Sequence, residues 1–122
     1  MTRAAVLIGV EKTGGLPTLR AVRSGVGEMR CWAAAQPGMG DRITVLHDGD
    51  GSRVTVGDIT HAIRAYIDLG TVEQMVVYFA GHGVNVKFRE YWLLSDAPDD
   101  PHAAVNVAGS VDLARLSTAP QK

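Results

Sequence analysis

A chain of 122 residues with 46% hydrophobic content is expected to form at most one ordinary globular domain, and to be part of a larger one if it continues. Twelve basic and 13 acidic residues leave a net charge of −1 with neither sign in a block, which argues against a nucleic-acid arm or an anionic-membrane anchor. The apolar runs are too short for a membrane span, no charged-then-apolar leader opens the chain, and the single cysteine, Cys31, excludes an intrachain disulfide or a cysteine-built zinc site, so a soluble cytoplasmic protein is expected.

In chain order the pattern alternates between strand and helix. Ala4 to Val10 (AAVLIGV) has the unbroken apolar run of a strand buried on both faces. The spacing of Leu19, Val22, Val26, Met29 and Ala33 predicts a helix over Leu16 to Ala35, weakened by Gly25 and Gly27 and ended by Pro37 and Gly38. Arg42 to His47 is a second strand, followed by the turn-forming run Asp48-Gly49-Asp50-Gly51-Ser52.

Thr55 then reads as an N-cap, with Asp58 three residues on as an imperfect capping box. Ile59, Ala62, Ile63, Tyr66 and Ile67 form one helical stripe that Gly70 terminates. Gln74 to Ala80 is a third buried strand, and Glu90 to Ser95 (EYWLLS) a fourth. Ser110 caps a short predicted helix, Val111 to Leu116, and residues 117–122 form a flexible polar tail. Strands alternating with helices imply a three-layer α-β-α sandwich around a mainly parallel sheet. In such sheets functional groups collect at the carboxyl edge, where Gly9-Val10, His47-Asp48 and Gly81-His82-Gly83 all fall.

Two loops imitate ligand sites and fail on inspection. Gly9 to Gly15 has Gly15 and Leu16 where a P-loop needs Lys and then Ser or Thr, and it lacks a dinucleotide fingerprint. Asp48 to Ser52 begins like a calcium loop, but Arg53 and Ile59 stand where an EF-hand needs Gly and Glu. His47, His61 and His102 show no metal-ligand spacing, and Tyr91 and Trp92 read as sheet packing.

His82 differs from these. It follows the most apolar strand and sits between two glycines. Imidazole, with an unperturbed pKa of about 6.5, is the side chain best suited to act as a general base near neutral pH. A glycine after it leaves a backbone N–H uncovered for a developing oxyanion.

Through AAVLIGV, VVYFAGHG, EYWLLSDAP and VAGSVDLARL, nearly the whole chain resembles the large-subunit region of the caspase-like cysteine peptidases, particularly the bacterial and metacaspase-like branch. The resemblance implies a single p20-type domain over residues 1–122, incomplete at its carboxyl side. It makes His82 the general base and Gly83 an oxyanion donor, working through a thioester without metal or organic cofactor. Asp96 becomes a candidate for recognising a basic substrate side chain.

The family's nucleophilic cysteine lies about 50 residues after the histidine, and residues 83–122 contain none. The expected partners are therefore a peptide or protein substrate and a companion segment or chain carrying that cysteine. Self-association is also expected, because a truncated sheet leaves an edge open. The competing reading is a catalytically inactive caspase-like module used for protein interaction or regulation; a third is a small-ligand-binding α/β domain.

Overall fold

The computed structural model describes residues 1–14, 16–86, 89–95 and 104–106. The predicted helix from Val111 to Leu116, its cap Ser110, the tail 117–122 and His102 lie outside the described residues.

The chain is mixed α/β. Strand β1 (Arg3–Gly9) forms the centre of a parallel sheet of order β2-β1-β3, with β2 at Ile43–His47 and β3 at Gln74–Ala80. Between them run α1 (Val22–Ala34) and α2 (Val56–Leu69). The continuous apolar run of β1 is explained by its position. Strands bond to it on both sides, and every residue from Ala4 to Ile8 is fully buried.

Its alternating side chains serve two cores. Val6 and Ile8 pack with Ile59, Ala62 and Ile63 of α2, whereas Ala5 and Leu7 pack with Val22, Val26 and Ala33 of α1. One helix therefore covers each face of β1. At about 1.5–3 kcal/mol for each large aliphatic side chain taken out of water, this strand anchors the domain.

Helix α2 forms as its sequence signals direct. The Asp58 N–H donates to the Thr55 hydroxyl and the Thr55 N–H to the Asp58 carboxylate, both at 3.1 Å. Both halves of the capping box are therefore made, even with Asp in place of Glu. Gly70 closes the helix in the left-handed region, at φ +71°. The described helices include none long and apolar enough to cross a membrane.

Helix α1 corrects the prediction, beginning at Val22 and not at Leu16. Pro17 has no N–H to donate and disfavours helical geometry at Leu16 before it. The preceding residues close instead into a loop, with the Leu16 N–H on the Thr13 carbonyl at 3.0 Å and the Leu19 N–H on the Glu11 carbonyl at 2.9 Å. Leu19 still packs against the α1-side core, so its burial matches the helical stripe although its backbone does not.

The strand predicted at Glu90 to Ser95 exists, at Arg89–Leu93, but in a different sheet from the one expected. It is β5, the middle of an antiparallel sheet β4-β5-β6 with β4 at Gly83–Val86 and β6 at Ala104–Asn106. A parallel connection needs a dozen or more residues, and only two separate β4 from β5. The chain therefore doubles back into an antiparallel pair.

This second sheet is tied to the core of the parallel sheet at a few points. Leu94 is fully buried in the α2-side core, and the Trp92 ring stacks on Phe79 with centroids 4.7 Å apart and planes 3° from parallel.

Candidate functional site

The parallel register brings Gly9 level with His47 and with Ala80. The residues that follow, Val10, Asp48 and Gly81-His82, consequently emerge together at the carboxyl edge of the sheet. His82 occupies the junction between β3 and β4, so the two sheets meet at the candidate base.

The backbone is held before and at this junction. The Val10 N–H donates to the Ala80 carbonyl at 2.9 Å, and the Leu93 N–H donates to the His82 carbonyl at 2.9 Å. The half-buried imidazole is held as well, with Nε2 2.8 Å from the Pro17 carbonyl oxygen in the loop before α1. A carbonyl oxygen only accepts, so in this contact Nε2 carries the proton. In the neutral ring that leaves Nδ1 as an unprotonated lone pair, the state a general base requires.

The two flanking glycines have different jobs. Neither takes a positive φ, so Gly81 is not needed for a left-handed turn. It is needed for space. A Cβ there would stand 2.6 Å from Phe79 Cζ and 3.2 Å from the Val10 carbonyl oxygen.

Gly83 is open by comparison, since a Cβ would meet only the Tyr91 carbonyl at an ordinary 3.5 Å. Its significance lies in its backbone. The bond between Leu93 N–H and His82 C=O makes that pair the hydrogen-bonded one, so the next pair, Gly83 with Trp92, is the non-hydrogen-bonded one. The Gly83 N–H therefore points away from β5. Among the described residues nothing accepts from it.

The other sequence candidates separate clearly. Asp96 lies outside the described residues. Cys31 is exposed on α1. Val22 and Val26 of that helix crowd Gly9 at the carboxyl edge, while Gly38 beyond its far end bonds the start of β1. Nine residues of helix, about 13 Å of rise, carry Cys31 from Val22 toward the opposite edge. The chain does not bring this thiol to His82.

His47 uses Nδ1 to accept from the Gly49 N–H at 3.2 Å. Asp50 accepts from the Ser52 N–H at 3.0 Å, and hydrogen bonds from the Ser52 side chain and then its backbone hold the Asp50 carboxyl below the usual carboxylate range. The Asp48 to Ser52 run is thus a self-bonded turn. Among the described residues no group of three or more His, Cys, Asp or Glu is placed to hold a metal ion.

Sequence reasoning missed the residues that support His82. Pro17 contributes a backbone carbonyl, which residue type does not advertise. Thr13 is fully buried, its hydroxyl 3.3 Å from the Leu93 carbonyl, and the Ser95 hydroxyl accepts from the Val54 N–H at 2.8 Å. An open cleft of about 800 Å³ lies over these loops, lined by Glu11, Lys12, Arg23, Asp48, Ser52 and Ser95 among others. A shallower groove of about 460 Å³ runs along residues 18–22 and Ala80, beside the contact between Pro17 and His82. No family model matches the chain, and no curated protein matches it.

Proposed function

We propose that this chain is the general-base half of a caspase-like cysteine endopeptidase, a three-layer α-β-α sandwich whose nucleophilic cysteine belongs to a companion segment or chain. The observation that supports this most is the bond between His82 Nε2 and the Pro17 carbonyl. It leaves Nδ1 as the acceptor at the carboxyl edge of a parallel sheet, where substrate groups converge.

In this reading Nδ1 takes the proton of the companion thiol, and the thiolate attacks the peptide carbonyl. The Gly83 N–H stabilises the oxyanion that forms. The imidazolium then protonates the departing amine, leaving a thioester, which water attacks with His82 again accepting a proton. The substrate is a peptide or protein held near the groove beside Ala80, and Asp96 contributes to recognition of a basic side chain. The reaction takes place in the cytoplasm. The outer edge of β3 is unpaired among the described residues, and the companion segment or a second copy of the chain covers it.

The test is made on the protein as it occurs natively, together with the polypeptide that continues or accompanies it. Fluorogenic peptides ending in Arg, Lys or Asp report turnover, and a peptidyl acyloxymethyl ketone marks the reactive thiol. Expected are hydrolysis and labelling of a cysteine outside residues 1–122, both lost in His82→Ala, with Asp96→Ala selectively slowing the basic peptides. The pure 122-residue chain is expected to hydrolyse nothing. His82-dependent hydrolysis by that chain alone would overturn the account of the nucleophile. Absence of both turnover and labelling in the native assembly would instead support the inactive interaction module.

A further inference from the structure

We infer that Asp48 is a positioning residue for His82, acting from the far side of β1 through the loop that presents the Pro17 carbonyl. The inference rests on the reading of His82 as general base. Asp48 stands at the end of β2 and His82 at the end of β3, on opposite sides of the central strand.

Both Asp48 oxygens are committed to the loop that leaves β1. Oδ1 accepts from the Glu11 N–H at 2.8 Å and Oδ2 from the Lys12 N–H at 3.0 Å. Bonds from two successive N–H groups to one carboxylate form a pincer, and charge makes each stronger than a neutral bond.

Glu11 is where this pincer meets the rest of the loop. Its N–H goes to Asp48, its carbonyl receives the Leu19 N–H at 2.9 Å, and its carboxylate lies 3.3 Å from Arg23 Nε. Arg23 Nη2 in turn donates to the Gly49 carbonyl at 2.8 Å, so a second strap runs from α1 to the residue after Asp48. Within the loop, Leu16 bonds Thr13 at 3.0 Å, and the Thr13 hydroxyl and the Gly14 N–H reach Leu93 and Ser95, each at 3.3 Å.

Pro17 therefore sits inside a ring of hydrogen bonds closed between Glu11 and Leu19, and Asp48 holds the point of closure. Displacing the loop moves the carbonyl that holds His82 Nε2–H, and misplacement by about 1 Å at a catalytic group can cost on the order of 100-fold in rate.

The experiment follows the His82 Nε2–H by proton and nitrogen-15 NMR in the 122-residue chain, a readout that requires no peptidase activity. The unsubstituted protein is expected to show a slowly exchanging His82 Nε2–H with an unprotonated Nδ1. Asp48→Asn, close in shape but with one acceptor replaced by an NH2, is expected to lose that protected proton while the amides of β1 and β3 keep their shifts. Asp48→Glu restores it in part. Asp50→Asn, in the same turn but without a bond to the 11–21 loop, leaves it unchanged.

In the native assembly Asp48→Asn lowers kcat about 10- to 100-fold with KM little altered. If Asp48→Asn disturbs the fold, Arg23→Gln, which cuts only the second strap, is expected to speed exchange of the same proton. A protected Nε2–H that survives both substitutions overturns the role of Asp48 and leaves His82 as base. An unsubstituted protein with its proton on Nδ1 overturns the base assignment itself.

Discussion

The two sheets that meet at His82 are built on different principles. In β2-β1-β3 the order follows from burial, with apolar strands covered on both faces and each helix closing one core. In β4-β5-β6 the order follows from chain reversal, and attachment to the rest depends on Leu94, one aromatic stack and a handful of bonds at the loop ends. The first sheet supplies rigidity and the second supplies the Gly83 N–H and one restraint on the His82 backbone. The lesson is that the candidate base is fixed by a stable layer, while the proposed oxyanion donor hangs from a more lightly held one.

The largest expected effect tests the stable layer. Ile8→Ala removes a fully buried side chain at the centre of the parallel sheet and is expected to cost about 2–5 kcal/mol by urea denaturation. A loss below about 1 kcal/mol, the range of a tolerated swap, would mean that β1 is not the anchor.

Next comes the pair of glycines. Gly81→Ala drives a methyl into Phe79 and the Val10 carbonyl, and Phe79 yields only by leaving its stack on Trp92. A loss of about 1–3 kcal/mol is expected. Gly83→Ala finds ordinary space and is expected to change stability by less than about 0.5 kcal/mol while lowering kcat in the native assembly. Equal destabilisation by the two would erase the distinction between a packing glycine and a backbone-donor glycine.

The smallest effect concerns the joint. A double-mutant cycle of Phe79→Leu and Trp92→Leu is expected to yield a coupling of about 0.5–1.5 kcal/mol. Zero coupling would show that the second sheet is held by its backbone bonds and Leu94 alone.

Local features were legible without a structure. The three parallel strands, helix α2 with both its caps, and the placement of His82 just beyond a buried strand all follow from periodicity, turn residues and the short reach of capping bonds. Each is decided by neighbours within a few positions in the chain. The start of α1 departs from its apolar spacing for a related reason. Leu19 satisfies the apolar spacing of the helix, but Pro17 and the bond from the Leu19 N–H to the Glu11 carbonyl keep its backbone in the loop.

Tertiary structure decided the rest. It determined that the strand at Arg89–Leu93 turns back antiparallel, that Gly81 makes room for Phe79 and Val10, that the Pro17 carbonyl meets His82 Nε2, and that the Asp48 carboxylate meets the Glu11 and Lys12 N–H groups. A backbone carbonyl or N–H is the same in nearly every residue, so its partner is not encoded in side-chain identity. Only the packing of segments distant in sequence determines which one it meets. The sequence by itself therefore determined where the imidazole stands along the chain, and the fold decided which of its nitrogens is left free.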